Sequence, residues 1–234
     1  MPKNESDVVP TKDDLEKFFK IRGTYTIRDG VYDVEGDVIL IEKVKTLPLK
    51  FGIVTGNFLC NDNKLRSLEG VPTKVGGNFD CCRNNLSSLE GAPVRIGRDF
   101  DCCRNKLSSL KGSPKEVGGN FDCSENKLSS LKGMPIKVGG DFWCIENKLI
   151  SLEGAPVKVR RNFWCDKNKL SSLEGAPKEV GGDFRCRDNK LFSLDGAPKE
   201  VGRDFDCKGN TKSFTMEEVR AVSKVKGIIL LNTL

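Results

Sequence analysis

Ten cysteines and no histidine define the chemistry open to this chain of 234 residues. Without imidazole it lacks the commonest general base and the commonest metal ligand. Catalysis would have to rest on Cys, Lys or carboxylate groups, yet no Gly-rich phosphate loop and no nucleophile paired with a base is visible. The chain is therefore expected not to be an enzyme, with no catalytic residue, no cofactor and no metal site. Cys60, Cys81, Cys102, Cys123, Cys144, Cys165, Cys186 and Cys207 recur every 21 residues, a spacing unrelated to C-x-x-C metal clusters. They read as buried thiols acting as small apolar side chains. Stacked coils would bring them within bridging range, but pointing the same way rather than at one another. Cys82 and Cys103 each follow one of these and should face outward on adjacent coils. A bridge, a soft-metal pair and two exposed thiols all suit that placement; exposed thiols are the favoured reading.

The same interval governs the elements that hold these residues. Phe58, Phe79, Phe100, Phe121, Phe142, Phe163, Phe184 and Phe205 keep it, as do the asparagines from Asn63 to Asn210 and the leucines from Leu65 and Leu68 to Leu191 and Leu194. Seven full units fit F-x-C-x-x-N-x-L-x-S-L-x-G-x-P-x-x-V/I-(G/R)-(G/R)-(N/D), and an eighth begins at Phe205. Such a period marks one structural unit per repeat, stacked so that neighbours share a core. Phe-x-Cys alternates as a strand does, which sends Phe and Cys inward and their neighbours outward. The Asn amide is placed to satisfy backbone groups of the turn. Leu65, Leu68 and their equivalents fill the core. Gly-x-Pro excludes a regular helix on the return path and leaves extended or polyproline-like segments. Val75 and its equivalents re-enter the core, and successive Phe strands should stack in parallel about 4.8 Å apart.

Phe58-x-Cys60-x-x-Asn63-x-Leu65 resembles the L-x-L-x-x-N-x-L core of leucine-rich repeats, with Phe and Cys in two of the Leu positions. Leu65-Arg66-Ser67-Leu68-Glu69-Gly70-Val71-Pro72 is similar to the L-x-x-L-P-x-x-P half of the short bacterial class found in secreted effector proteins. The Gly-Gly-Asp-Phe-x-Cys variant, seen at Gly181–Cys186, is similar to repeat proteins of tailed phages and bacteria. The resemblance covers residues 56–210. It implies a mainly β leucine-rich-repeat solenoid with a parallel concave sheet, a non-helical convex side and a curved surface that binds a ligand. The family's first Leu falls on Gly76, with Val75 one place earlier, so the strand is expected to begin differently.

In a repeat scaffold the outward columns that vary carry the information. The column before Phe is Asn or Asp from Asn57 to Asp204, which suits a turn and hydrogen-bonding requirement. The column between Phe and Cys runs Leu59, Asp80, Asp101, Asp122, Trp143, Trp164, Arg185, Asp206. The column after Cys runs Asn61, Cys82, Cys103, Ser124, Ile145, Asp166, Arg187, Lys208. Trp143, Ile145, Trp164, Asp166, Arg185 and Arg187 thus fall on neighbouring coils with the Trp–Arg composition of a binding hot spot. The plainer alternative is that the two Trp rings only stack on one another. Asp80, Asp101 and Asp122 form an acidic extension whose mutual repulsion suits solvated acids or a basic partner surface better than a divalent ion. Lys64, Lys106, Lys127, Lys148, Lys169 and Lys190 make a second stripe that could track a polyanion by counterion release. Scaffold lysines kept in solvent explain that stripe equally well, and a net charge of +6 does not itself argue for nucleic acid.

Residues 1–37 read as an N-terminal cap, with Thr11-Lys12-Asp13-Asp14 as a capping box opening a helix over 11–21 and a hairpin over 24–36 turning at Asp29-Gly30. Residues 38–55 read as a degenerate first coil, 56–210 as the array and 211–234 as a C-terminal cap. The latter holds a second capping box at Thr215–Glu218, a helix to about Ser223 and a last strand within Ile228–Leu231. Neither the polar start of the chain nor the short run at 227–231 offers a signal peptide or a membrane span. A cytoplasmic protein without membrane contact is expected, in the host cytoplasm if phage-encoded. The favoured function is non-enzymatic binding of a protein partner across the concave face, for which the phage resemblance suggests an inhibitor of a host defence protein. The alternatives are polyanion or nucleic-acid binding along the Lys stripe, with nucleic acid disfavoured, and a structural or assembly spacer.

Overall fold

Each 21-residue unit forms one coil of a parallel β-solenoid in the computed structural model, which describes residues 12–232. Every coil contributes two short strands. Phe58–Leu59, Phe79–Asp80, Phe100–Asp101, Phe121–Asp122, Phe142–Trp143, Phe163–Trp164, Phe184–Arg185 and Phe205–Asp206 pair in register, Phe beside Phe. Just before the turn that leads into each Phe strand, Lys74–Val75, Arg95–Ile96, Glu116–Val117 and Lys137–Val138 form a second parallel ladder. Gly-x-Pro itself runs through turns and bends without helix, and a short ladder not expected from the sequence forms just after it. The chain recovers after Pro in time for two residues to pair, so Val75 and its equivalents both fill the core and hydrogen-bond to neighbouring coils. Donors run forward along the Phe ladder, as in Phe58 N–H to the Asn78 carbonyl at 2.9 Å, and backward after the Val ladder, as in Gly76 N–H to the Val54 carbonyl at 2.8 Å.

Strand alternation decides what is inside. The eight array Phe side chains and the eight core Cys are at most 3% exposed. The Phe rings follow the axis with centroids 5.1–5.8 Å apart, and each fully buried ring contributes about 3 kcal/mol by leaving water. Leu65, Leu68 and their equivalents close the core beside them.

A buried polar column accounts for the regular stacking. After each core Cys the chain passes through a left-handed residue, from Asp62 (φ 50°) to Asp188 (φ 52°), with Gly209 in the same column. A non-glycine residue there costs about 1–2 kcal/mol. The Asn that follows holds the turn. Asn126 Nδ2 donates to the carbonyls of Cys102, Cys123 and Ser124, each at 3.1 Å, and its Oδ1 accepts the Leu107 N–H at 3.0 Å. One amide therefore secures its own turn and ties it to the preceding coil. Asn84, Asn105, Asn147, Asn168 and Asn189 repeat the arrangement. The Asn/Asp column before Phe makes a second such line: Asp99 Oδ1 accepts the Asn120 N–H at 2.7 Å, and Asn120 Oδ1 the Asp141 N–H at 2.8 Å.

At the N-terminal end α1 (Lys12–Phe18) leads directly into β1 (Phe19–Arg28), which pairs antiparallel with β2 (Val31–Leu40). The helix is shorter and the hairpin longer than expected, because Phe19–Arg22 find partners in Asp37–Leu40 and cross-strand pairing outweighs local helix preference. Thr11, where the first capping box was expected to open, lies outside the described residues. The chain turns at Asp29 (φ 50°) and Gly30 (φ 72°), which suits a two-residue hairpin. β2 then serves both ladders. Its first half pairs with β3 (Lys50–Val54), and Val38–Ile39 pair with Phe58–Leu59, so both ladders share one 16-stranded sheet. The first coil therefore starts inside the hairpin, at Val31, rather than at residue 38. At the far end α2 (Met216–Val222) opens on a reciprocal pair: Thr215 Oγ1 accepts the Glu218 N–H, and Glu218 Oε2 accepts the Thr215 N–H. Lys224–Val225 and Ile229–Leu230 then extend the Val and Phe ladders.

The Val ladder breaks once. Lys158–Val159 does not pair with Lys137–Val138 and instead begins a separate 4-stranded sheet. This coil alone replaces both glycines of the Gly-Gly turn, with Arg160 and Arg161. A Cβ at Gly139 would overlap the Gly118 carbonyl oxygen of the coil before. Coils with one replacement keep their bond, as Thr55 N–H does to Val34 at 3.0 Å and Arg98 N–H to Gly77 at 3.1 Å; two replacements in one turn break it. Replacing both arginines by glycine should join the two sheets and slow amide exchange at positions 160 and 161; unchanged exchange there would refute the steric cause. For the Asn column, Asn126→Ala strands the Leu107 N–H and three carbonyls, and should lower stability to urea by about 3 kcal/mol or more. A loss within about 0.5 kcal/mol, the range of an ordinary surface change, would show the amide to be dispensable.

Candidate functional site

The outward side of the Phe ladder carries the residues singled out for recognition. Trp143 and Trp164 stand on paired rungs, half-buried, with ring centroids 5.5 Å apart and planes 28° from parallel. On the next rung the Arg185 guanidinium lies 4.7 Å from the Trp164 ring centroid, a cation–π contact. Ile145 and Arg187 flank them, also half-buried. Asp166 departs from the expected role. It is only 5% exposed and works as a brace: one oxygen lies 3.0 Å from Arg185 Nη2, and the other accepts the Arg187 N–H at 2.9 Å. Arg187 Nε in turn lies 3.8 Å from buried Asp206. The patch is thus Trp143, Ile145, Trp164, Arg185 and Arg187 on a carboxylate footing.

Four buried donors in this patch lack a hydrogen-bond partner: Nε1 of Trp143, Nε1 of Trp164, and Nε of Arg185 and Arg187. Among the described residues only Ser113 and Ser223 share that condition. Folded chains satisfy most buried polar groups, so this concentration sets the patch apart. Beside it lies an open hollow of about 230 Å³ lined by both Trp rings, Ile145, Asp122, Ser124, Glu125 and Glu146. Glu125 and Glu146 were not among the expected site residues. They belong to the left-handed column two places after Cys, and weighing that third column would have found them.

Asp80, Asp101 and Asp122 stack in register as expected. Each also has a local duty, since Oδ1 accepts the N–H two residues on, at Cys82, Cys103 and Ser124, at 2.8–2.9 Å. Burial pushes the Asp101 carboxyl up to about 7, helped by the charges of Asp122 and Asp80 and opposed by the Cys103 N–H and Arg104. Asp80 and Asp122 are raised too, again chiefly by burial.

Cys82 and Cys103 are not exposed thiols. They are joined in a disulfide with Cα atoms 4.7 Å apart, and Cys82 is 8% exposed. Side chains of one outward column project side by side at the rung spacing, which is bridging distance. The eight core thiols remain free. Several donate to a carbonyl of the following coil, such as Cys102 Sγ to Asp122 at 3.3 Å, and burial raises them, Cys207 to about 12. They stay protonated and unreactive.

Lys64, Lys106, Lys127, Lys148, Lys169 and Lys190 are all exposed, and none enters an ion pair among the described residues. Exposed cross-rung pairs nearby, such as Arg104–Glu125 at 2.7 Å and Arg83–Asp62 at 3.3 Å, contribute little stability. No described helix is long and apolar enough to cross a membrane. No family model matches the chain, and no curated protein matches it.

The acidic strip gives a pH test. With Asp101 held to about 7 in the fold against 3.8 ordinarily, the folded chain keeps a proton that the unfolded chain releases. This group therefore costs nothing below about pH 4, lowers stability increasingly from pH 4 to 7, and leaves a constant penalty above. Asp101→Asn keeps the bond to Cys103 N–H. It should match the parent protein at pH 4 and exceed it by about 2 kcal/mol at pH 8. Equal stability at pH 8 would contradict the desolvated carboxyl.

Proposed function

We propose that this chain is a non-enzymatic binding module that captures a protein partner on the outward side of its Phe ladder, at Trp143, Ile145, Trp164, Arg185 and Arg187, with Asp80, Asp101 and Asp122 as an acidic extension. The observation that carries this reading is the cluster of unmet donors around two half-buried Trp rings. A partner offering carbonyl or carboxylate acceptors would satisfy them once the rings turn, and desolvated Trp and Arg are the side chains that dominate binding energy. The rings already cover one another in part, so stacking supplies some of the reason for their pairing, but it leaves the indole N–H groups without acceptors.

The resemblance to leucine-rich repeats supports a curved scaffold of this kind, with the hairpin and α2 as end-caps that shield terminal coils. Origin in a phage and inhibition of a host defence protein belong to the same proposal and rest on resemblance alone. A second reading, polyanion binding, is favoured by the six exposed lysines without ion-pair partners. Salt separates the two, because a polyanion complex weakens steeply with ionic strength.

Trp143→Ala combined with Trp164→Ala should reduce capture of the partner from host extract at least tenfold while the far-ultraviolet circular dichroism stays unchanged. Undiminished capture would reject the mapped face, and capture that collapses between 50 and 200 mM salt, as about 10³-fold losses do for several phosphate contacts, would move the site to the Lys stripe.

A further inference from the structure

Only two adjacent coils carry Cys in the column after the core Cys, and beside them lies Asp101, the middle member of the strip of three aspartates. Sγ of Cys82, Sγ of Cys103 and a carboxylate oxygen of Asp101 all lie within 4.8 Å of one another. They border an open hollow of about 320 Å³, so an ion can reach them from solvent. We propose that Cys82, Cys103 and Asp101 form a two-state site: bridged when oxidised and, when reduced, a ligand set for one thiophilic divalent ion of the zinc group.

The donor set selects the ion. Two thiolates and one carboxylate suit a tetrahedral zinc-like centre with water in the fourth position; calcium and magnesium need six or more oxygens. Thiolates sharing such an ion stand about 3.8 Å apart, as follows from metal–sulfur bonds of about 2.3 Å. The 4.7 Å separation of the two Cα atoms permits that by side-chain rotation alone. Charge favours it as well. Asp80, Asp101 and Asp122 stack in register on neighbouring rungs, and a cation in the strip offsets their mutual repulsion. The cations nearby, Arg83 and Arg104, are engaged with Asp62 and Glu125. The eight core thiols do not compete, since they are buried and raised.

A water-soluble phosphine opens the site. It cleaves the sulfur–sulfur bond, takes the oxygen of one water molecule to become the phosphine oxide, and that water's two protons end on the two sulfurs. Metal binding then releases both thiol protons. Cadmium reports the result through its ultraviolet thiolate charge-transfer band. After reduction and removal of the phosphine without oxygen, the full chain should bind one cadmium ion with the intensity of two thiolates, and the oxidised chain none. Cys82→Ser with Cys103→Ser should abolish the band; Ser124 fills the same column one coil on, so serine fits there. Asp101→Asn should keep the two-thiolate intensity and weaken binding at least tenfold. A missing band, a band that survives the double serine variant, equal binding by the oxidised chain, or unchanged affinity in Asp101→Asn each overturns the site. None of these outcomes depends on whether the Trp patch binds a partner.

Discussion

After each core Cys the backbone turns through a left-handed residue, and that turn leaves buried backbone groups with no strand partner. One asparagine amide meets them. It donates into its own turn and to the coil before, while its oxygen accepts from that earlier coil, as Asn126 does between Ser124 and Leu107. A buried amide that misses these partners costs about 1–3 kcal/mol for each group left unmet. Its position therefore fixes the rise and rotation from one coil to the next. The Phe rings, the thiols and the leucines pack as repeated columns because the amide has already aligned the coils.

Once that alignment is set, function is confined to the columns left over. Outward side chains of consecutive rungs stand about 4.8 Å apart, close enough for Trp143 to meet Trp164, for Arg185 to lie on Trp164, and for Cys82 to reach Cys103. The same closeness stacks three aspartates and adds to the burial that raises Asp101. Both proposed sites thus arise from two neighbouring side chains of matching chemistry on a rigid ladder; the Trp pair and the Cys pair occupy different stretches of one face, and Asp101 belongs to both the acidic extension and the Cys site. The break at Arg160 and Arg161 falls in the turn that leads into the Trp164 rung.

Strict periodicity made much of this legible from the residues. It identified which positions are equivalent, so Phe and Cys inside, Asn in the turn and Trp beside Trp followed from alternation and count. What periodicity does not carry is the path of the chain between equivalent positions. Gly-x-Pro argued against a helix, but two residues of pairing at Lys74–Val75 lie below what local sequence signals. The lengthening of β1 over Phe19–Arg28 depends on partners some twenty residues away, beyond reach of helix preference. Cys82 and Cys103 were correctly paired as neighbours, but whether neighbouring sulfurs bond depends on side-chain direction, which the spacing alone leaves open. Asp166 was read as a contact residue because its column faces outward; the structure turns it beneath Arg185 and Arg187 as their counter-charge.

Side-chain amide exchange tests the aligning role of asparagine most directly. With asparagine labelled in its side-chain nitrogen, the amide protons of Asn84, Asn105, Asn126, Asn147, Asn168 and Asn189 can be followed by NMR in deuterated buffer. They should exchange more than about a hundredfold more slowly than those of free asparagine and open together with the Phe-ladder backbone amides, as members of one cooperative unit do. Exchange at the rate of free asparagine would contradict the buried amide column and the coil geometry that depends on it.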